Sequence, residues 1–382
     1  MDLRETRTRI DAVDAELLRL FGERMALARD VAAAKIEAGL PVFDPARERE
    51  KLTRIANMAP EGLEDASVAL FSLLMSMNKV AQHRIMATGS TQIPASARIG
   101  AQLLDASTPF PQRATVACQG VEGAYSQIAA CRLFAVPAIS YCRTFDDVFA
   151  AVEDGSCAFG VLPIENSTAG SVNAVFDRMA NTRTRIVRSF RLKIEHSLLA
   201  HQGVDRADIR EVVSHEQALS QCAGYLKRLG VTTTVCENTA RAAALVAASD
   251  RRDLAALSSA GCAELYGLTE LDRSVQDSDS NYTRFAVISR EPVIYPGANR
   301  TTIMLTLKHE PGALFSLLER LYALNINLLK LESRPIPGRD FEFRFYFDLE
   351  VEPGSDAFAA MLDSLDDVCC TWRYFGSYLE IV

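Results

Sequence analysis

No apolar run in these 382 residues approaches the roughly 20 needed to cross a bilayer, so the sequence predicts a soluble chain with no membrane role. Nine cysteines are present, yet none forms a C-x-x-C pair or joins a histidine cluster. Neither a zinc site nor a disulfide framework is predicted, and the thiols read as reduced and mostly core. Positive charge is also scarce: 41 Lys and Arg against 49 Asp and Glu leave a net charge of -8. That balance argues against non-specific nucleic-acid binding but leaves room for local basic pockets that hold small anions. The first residues lack a hydrophobic leader and are acidic at Asp2, Glu5 and Asp11, so the expectation is a cytoplasmic protein without a targeting peptide. Nucleophile motifs are missing too. Ser171 sits in Ala-Gly-Ser-Val rather than in a G-x-S-x-G elbow, and Cys222 lies seven residues after His215 with no third partner. No metal and no cofactor are predicted. What is present, 48% apolar and 24% charged residues, is ordinary for a globular chain long enough for two or three domains.

The first ninety residues read as three helices. From Asp2 to about position 38 there is no Pro, and Gly22 is the one Gly before Gly39. An apolar stripe of Ile10, Leu17, Phe21, Ala28 and Val31 marks one face. At 100° per residue, Arg24 and Lys35 fall within about 20° of Leu17 on that same face. Buried cations need an anionic partner, although snorkelling or a salt bridge explains either one alone. Asp44 is an N-cap with Pro45 at the first helical position of a second helix, which carries Arg47 and Glu48. A third helix, about 67–86, has Phe71, Met75 and Ile85 on its apolar face, with Asn78 and Gln82 beside them. Cations, amides and a carboxylate on buried faces describe a pocket for a small polyanion.

Residues 88–113, rich in Ser, Thr, Ala, Pro and Gln, read as a connector with a short helix near 97–104. Strands and helices then alternate. A strand at 114–117 is followed by Gly120-Val-Glu-Gly123, whose spacing fits neither a Rossmann nor a P-loop turn. Further strands are predicted at 158–163, 186–194, 211–214, 232–236 and 254–258, with helices at 145–154, 172–179, 218–229 and 239–248. The pattern predicts a two-lobed α/β domain with mostly parallel sheets, the strand at 282–288 returning from the second lobe to the first. Three strand ends turn polar: Glu165-Asn166-Ser167-Thr168, Ser214-His215-Glu-Gln217, and Asn281-Tyr282-Thr283-Arg284. Ends of this kind are where open α/β sheets bind ligands. After position 299 the order β-α-β-β-α-β is ferredoxin-like. Its marked points are Pro311-Gly312-Ala313-Leu314 at a helix start and Glu332-Ser333-Arg334-Pro335 at a strand end.

Thr283-Arg284-Phe285, Pro163-Ile164-Glu165-Asn166-Ser167 and Ser214-His215-x-Gln217 together resemble prephenate dehydratase. With its flanks, the whole chain resembles the bifunctional chorismate mutase/prephenate dehydratases of phenylalanine synthesis. The N-terminal helices resemble the all-helical chorismate mutase domain, with Arg7, Arg24, Lys35, Asp44, Arg47, Glu48 and Gln82 in register and Asn78 where some relatives carry serine. That resemblance implies an intertwined dimer, or a higher homo-oligomer, in which Arg7 reaches the neighbouring pocket. Arg24 and Arg47 join it on the chorismate carboxylates, Lys35 and Gln82 donate to the ether oxygen, and Glu48 holds the ring hydroxyl.

For the second reaction the resemblance implies a periplasmic-binding-protein-like domain with Thr283 as essential hydroxyl. Ser126, Asn166, Ser167, Thr168, Ser214, His215 and Gln217 are then candidate prephenate contacts. Arg284 reads equally as a carboxylate ligand or a structural ion pair, and His215 and Glu165 are both candidate proton sources. The C-terminal segment resembles a phenylalanine-binding ACT domain, with Gly312, Ala313, Leu314, Glu332, Ser333 and Arg334 as the effector site. The implied modules are 1–90, a linker at 91–113, 114–292 and 299–382. Two rivals stand beside this reading: an arogenate dehydratase fused to the mutase, and a non-catalytic amino-acid-binding regulator, against which the intact polar sets argue.

Overall fold

The computed structural model describes residues 2–40, 42, 44–87, 93–105, 107–310, 312–336, 338 and 342–382, and for 45, 80, 83, 84, 86 and 87 the backbone alone. The chain forms two compact units, Met1–Leu103 with Arg300–Tyr374, and Leu104–Asn299 with Phe375–Val382.

In the first unit, α1 (Leu3–Ala38) starts at Asp2, whose side chain accepts from the Arg4 N–H. It stops at Gly39, left-handed at φ 62°, as expected of a glycine C-cap. Its 36 residues extend about 54 Å. Only Ala28 and Ala32 of this helix are buried; Ile10, Leu17 and Val31 of the expected stripe are exposed in the single chain. In α2 (Pro45–Met58), Asp44 caps the Ala46 and Arg47 N–H groups as the sequence predicts. Both helices pack on α3 (Glu64–Ala87). The short helix expected at 97–104 is α4 (Ala95–Gly100), anchored by Ser96, whose N–H and hydroxyl both donate to Asp363.

The second unit begins with β1 (Arg113–Gln119), α5 (Tyr125–Leu133), β2 (Val136–Cys142) and α6 (Phe145–Glu153). The first lobe continues through β3 (Phe159–Asn166), β4 (Gly170–Ser171), α7 (Asn173–Met179) and β5 (Arg185–Lys193). The second lobe holds β6 (Ser197–Ala200), β7 (Glu211–Ser214), α8 (Glu216–Gln221), α9 (Ala223–Leu229) and β8 (Thr232–Val235). It ends with α10 (Thr239–Ala247), β9 (Leu254–Ser258), α11 (Gly261–Tyr266) and β10 (Thr269–Asp272). As predicted, β11 (Tyr282–Ser289) crosses back into the first sheet, between β5 and β3, giving the order β5-β11-β3-β1-β2; the second sheet runs β10-β6-β9-β7-β8.

The expectation of mostly parallel sheets is corrected. Pairing is parallel at β2-β1-β3 and β8-β7-β9 but antiparallel at β3-β11-β5 and β9-β6-β10. Parallel neighbours need a crossover, usually helical, and β11 enters without one. The helix expected at 218–229 breaks at Cys222 into α8 and α9. β2, absent from the sequence reading, is an edge strand, where Pro137 is tolerated. Val116, Val161, Phe285 and Val287 build the first-lobe core, whereas Leu198, Val212, Ala255 and Leu257 build one side of the second sheet.

Returning to the first unit, β12 (Arg300–Leu307), α12 (Ala313–Ala323), β13 (Asn327–Pro335), β14 (Phe343–Glu350), α13 (Asp356–Val368) and β15 (Cys369–Ile381) follow the predicted ferredoxin-like order. The sheet runs β13-β14-β12-β15, and α12 and α13 both pack against α3. Phe341, expected to open the third strand of this module, and Pro311 lie outside the described residues. The end of β15 belongs to the second unit, where Leu379, Glu380 and Ile381 pair in parallel with β5. Gly376 there has φ 142°, and an added Cβ would lie 2.1 Å from the Ile186 carbonyl oxygen. Gly376→Ala is therefore expected to cost at least about 3 kcal/mol in clash and backbone strain, lowering the thermal midpoint by several degrees in a melting scan.

Candidate active sites

Antiparallel pairing of β3 with β11 sets Asn166 opposite Thr283 at the polar ends of two buried strands. Thr283 and Phe285 face a cavity of about 460 Å³ between the lobes of the second unit, together with Tyr125, Ser126, His196, His215 and Gln217. Asn166 is 9% exposed, and its orientation is fixed. Its Oδ1 accepts from the Thr168 and Ala169 N–H groups and the Thr168 hydroxyl, while its Nδ2 donates to Asn281 Oδ1 and to Thr283 Oγ1, both at 3.0 Å. A threonine oxygen that accepts from an amide keeps its own proton to donate elsewhere. Strand pairing and the oriented Asn166 amide together leave the Thr283 hydroxyl at the cavity with a proton to donate. α5 starts at the same cavity without a side-chain cap, so its first-turn N–H groups and dipole suit a carboxylate.

Behind Asn166 lies a second layer of amides. Gln221 Nε2 donates to Thr168 Oγ1 at 3.0 Å, and Asn281 Nδ2 donates to Gln221 Oε1 at 2.9 Å. His196 Nε2 is 3.1 Å from the same Gln221 oxygen, and its Nδ1 is 3.1 Å from the Tyr125 hydroxyl. Burial lowers the His196 pKa and pushes that of Tyr125 well up, so both are neutral at pH 7. None of Gln221, Asn281, His196 and Tyr125 is among the predicted contacts, although Asn281 opens the polar strand end at 281–284. Gln221 is one helical turn past Gln217 and Asn281 two residues before Thr283, which were usable signals; a lone His196 beside a strand carries none.

Of the predicted contacts, Ser126, Asn166, His215, Gln217 and Thr283 come together around the cavity. Thr168 lines an adjoining hollow of about 610 Å³ that shares His215, Gln217 and Gln221. Three others are not brought there. Ser167 donates to the Ser280 carbonyl and accepts from the Tyr282 N–H, tying β3 to the start of β11. Ser214 is fully buried and donates to the Leu257 carbonyl inside the second sheet. Arg284, alternating away from Thr283, pairs with Glu165 at 3.1 Å and with the 2%-exposed Glu380 side chain at 3.7 Å. Arg284 therefore reads as a structural cation, and Glu165 is held with it on that other face.

The second constellation is helical. Arg24, half-buried on α1, donates through Nη1 to the Leu74 carbonyl at 2.7 Å, while its Nη2 is buried with no hydrogen-bond partner among the described residues. Asn78 Oδ1 and Gln82 Oε1 on α3 are likewise buried and have no partner among the described residues. Lys35 donates to the Val42 carbonyl. Glu48 pairs with Lys79 at 2.8 Å, a partner the sequence reading missed. Lys51 was missed as well: burial lowers its pKa, and Arg24 and Arg47 add to the effect, the signature of cations gathered without enough anion. Asp44 is spent as the α2 cap, and Arg47 is exposed and paired with Glu50 at 2.8 Å. Arg7, also exposed, stands 17 positions before Arg24 on the same helix, about 26 Å along its axis, and cannot share a pocket with it within one chain.

In the ferredoxin-like module, Ala313 and Leu314 border a hollow of about 360 Å³ with Lys308, His309, Glu310, Phe343 and Phe345. Gly312 is the left-handed residue, at φ 85°, that turns the chain into α12. Glu332, Ser333 and Arg334 lie on β13 and do not line that hollow; Glu332 is 3.4 Å from Lys330.

Cations and amides gathered on three helices, an α/β cleft with a buried threonine hydroxyl at its wall and a ferredoxin-like module are the parts of a two-site enzyme of small carboxylated metabolites. A chorismate mutase type II family model matches residues 6–83, and a prephenate dehydratase family model matches residues 116–293. The Escherichia coli (strain K12) bifunctional chorismate mutase/prephenate dehydratase is 32% identical over 381 residues, covering 97% of this chain and 95% of that protein. An Arabidopsis thaliana chloroplastic protein, arogenate dehydratase/prephenate dehydratase 2, is 39% identical over 282 residues, covering 70% of this chain and 73% of that protein. Among solved structures, prephenate dehydratase from Arthrobacter aurescens in complex with L-Phe superposes with a TM-score of 0.65 at 27% identity, over 69% of this chain and 89% of that one. GqqA, described as a novel type of quorum quenching acylase, gives a TM-score of 0.64 at 33% identity, over 69% of this chain and 97% of that one.

The chain belongs to the bifunctional chorismate mutase/prephenate dehydratase family. It is an enzyme joining an isomerase module to a lyase module, and no described helix is long and apolar enough to cross a membrane.

Proposed function

We propose that the chain converts chorismate to prephenate in the helical pocket and prephenate to phenylpyruvate in the cleft, with phenylalanine as feedback inhibitor. The observation that carries the second step is the Asn166–Thr283 bond, which leaves the threonine proton to donate. In the first step, a pericyclic rearrangement breaks a C–O bond while a C–C bond forms, with no nucleophile. Arg24 grips carboxylate, Lys35 and Gln82 meet the charge growing on the ether oxygen, and Glu48 holds the ring hydroxyl. In the second, the electrons of the bond to the departing carboxylate enter the ring as the C–O bond breaks. CO₂ leaves, and hydroxide takes up a proton as water. Thr283 donates to that hydroxyl, α5 holds a carboxylate, and His215 or Glu237 at the cavity wall resupplies the proton.

Our modules are 1–90, 114–292 and 299–382, joined by the linker 91–113. We place phenylalanine in the hollow beside Ala313 and Leu314, where it stabilises a less active arrangement by binding that arrangement more tightly. The protein acts as a homodimer. Leu17, Leu18, Leu20 and Leu27 stand exposed along α1, and Arg7 can complete a pocket only in a second copy. Nine unpaired thiols suit the reducing cytoplasm.

The test is purified protein with chorismate alone, following phenylpyruvate with and without phenylalanine. Phenylpyruvate that falls when phenylalanine is added supports all three assignments. Prephenate that accumulates without phenylpyruvate points to arogenate as the second substrate, which a side-by-side assay settles. Unchanged chorismate overturns the mutase site, and inertness toward every substrate with tight phenylalanine binding leaves the regulator.

A further inference from the structure

The helix that carries Asn78 and Gln82 also faces the C-terminal module. α12 and α13 pack against α3, and α12 presents a carboxylate there rather than a methyl group. Ser76, 3% exposed, donates its hydroxyl to Glu319 Oε2 at 3.0 Å. Three residues further along α3, Lys79 holds Glu48 at 2.8 Å. Ser76 and Lys79 are neighbours on one helical face, so the residue that grips Ser76 also fixes the turn from which Lys79 reaches Glu48.

A half-buried carboxylate in a helix seam costs free energy that an apolar side chain would not, unless neighbouring groups compensate. Burial accordingly raises the Glu319 pKa, while Ser76, Lys79 and Arg320 pull it back and Glu48 adds to the rise. Glu319 thus lies in the electrostatic neighbourhood of both members of the Lys79–Glu48 pair, although it comes from a module some 240 residues away in sequence.

We infer that Glu319 is a positioning residue for the mutase reaction, supplied by the ferredoxin-like module: it holds α3 through Ser76 and, through Lys79, sets where Glu48 stands. This rests on the mutase reading above. Glu319 itself touches no substrate. The geometry also gives the C-terminal module a physical handle on the mutase pocket, because any displacement of α12 pulls on the turn that carries Lys79.

The experiment compares Glu319→Ala, Glu319→Gln, Ser76→Ala and the Ser76→Ala/Glu319→Ala double variant, in the full chain, assaying the two reactions separately. Removing a charge-assisted hydrogen bond of this kind predicts a loss of about tenfold in mutase kcat/KM for Glu319→Ala. The loss should fall mainly on kcat, with dehydratase turnover of added prephenate unchanged. Glu319→Gln keeps an acceptor oxygen for Ser76 and should recover most of the rate. The double variant should lose no more than the worse single one, since both remove the same contact. Equal losses in both reactions, or a lower thermal midpoint with no mutase defect, would reduce Glu319 to packing and overturn the inference. Wild-type protein that turns chorismate over no faster than Glu319→Ala does would also overturn it. If wild-type protein leaves chorismate untouched, the mutase reading falls first and this inference with it.

Discussion

Thr283→Ala lowers dehydratase turnover by about a thousandfold, the scale of losing a positioned proton donor, while mutase turnover stays within about twofold of normal. The expectation follows from the direction of one hydrogen bond. Asn166 donates to Thr283 Oγ1, so the hydroxyl proton is free for a leaving oxygen in the cavity. Alanine removes the donor and leaves Asn166 Nδ2 with Asn281 Oδ1 and the Tyr282 carbonyl, so the strand end should keep its shape. Serine restores the hydroxyl without the methyl group and should return a substantial part of the rate. The assay is stopped-time phenylpyruvate formation from supplied prephenate, with chorismate consumption measured on the same preparation. Matched losses in both reactions would sink the separate-sites account, as would a Thr283→Ala enzyme that dehydrates prephenate normally.

The converse experiment is Lys35→Ala or Gln82→Ala. Each should cost the mutase about a hundredfold to a thousandfold, the range seen when one donor to a developing anionic oxygen is removed, and each should leave prephenate dehydration intact. Lys35 is the larger expectation because its bond to the ether oxygen is charge-assisted. Lys35 rests on the Val42 carbonyl, whereas Gln82 Oε1 is buried without a partner among the described residues. Gln82→Ala therefore removes an uncompensated polar atom from the interior, and its folded state should be no less stable than the wild type in a melting scan. Loss of activity without loss of stability is what separates a substrate ligand from a packing residue here. A Gln82→Ala protein that melts early and slows both reactions would assign that side chain to the core instead.

Local grammar was readable from the chain alone. Asp44 with Pro45 fixed the start of α2, Gly39 ended α1, and the β-α-β-β-α-β rhythm after position 299 gave the last module, because caps, glycine conformations and hydrophobic period act between near neighbours. The polar ends of β3 and β11 marked the cleft for the same reason: a buried strand that turns polar has to meet something there.

Register and facing were not readable, because they depend on residues more than a hundred positions apart. Strand alternation at β11 put Thr283 at the cavity and Arg284 against Glu165 and Glu380, a split that adjacency in sequence conceals. Ser214 looked like a ligand beside His215, but its hydroxyl is spent on Leu257 within the sheet. Lys79, Lys51 and His196 joined their sites only because distant helices and strands brought them there. The sequence by itself determined the order of the elements, their caps and several of the polar side chains that gather at the candidate cleft. Only the tertiary structure decided which of those side chains share a cavity, since a side chain's direction is set by the pairing and packing of elements that the local sequence does not encode.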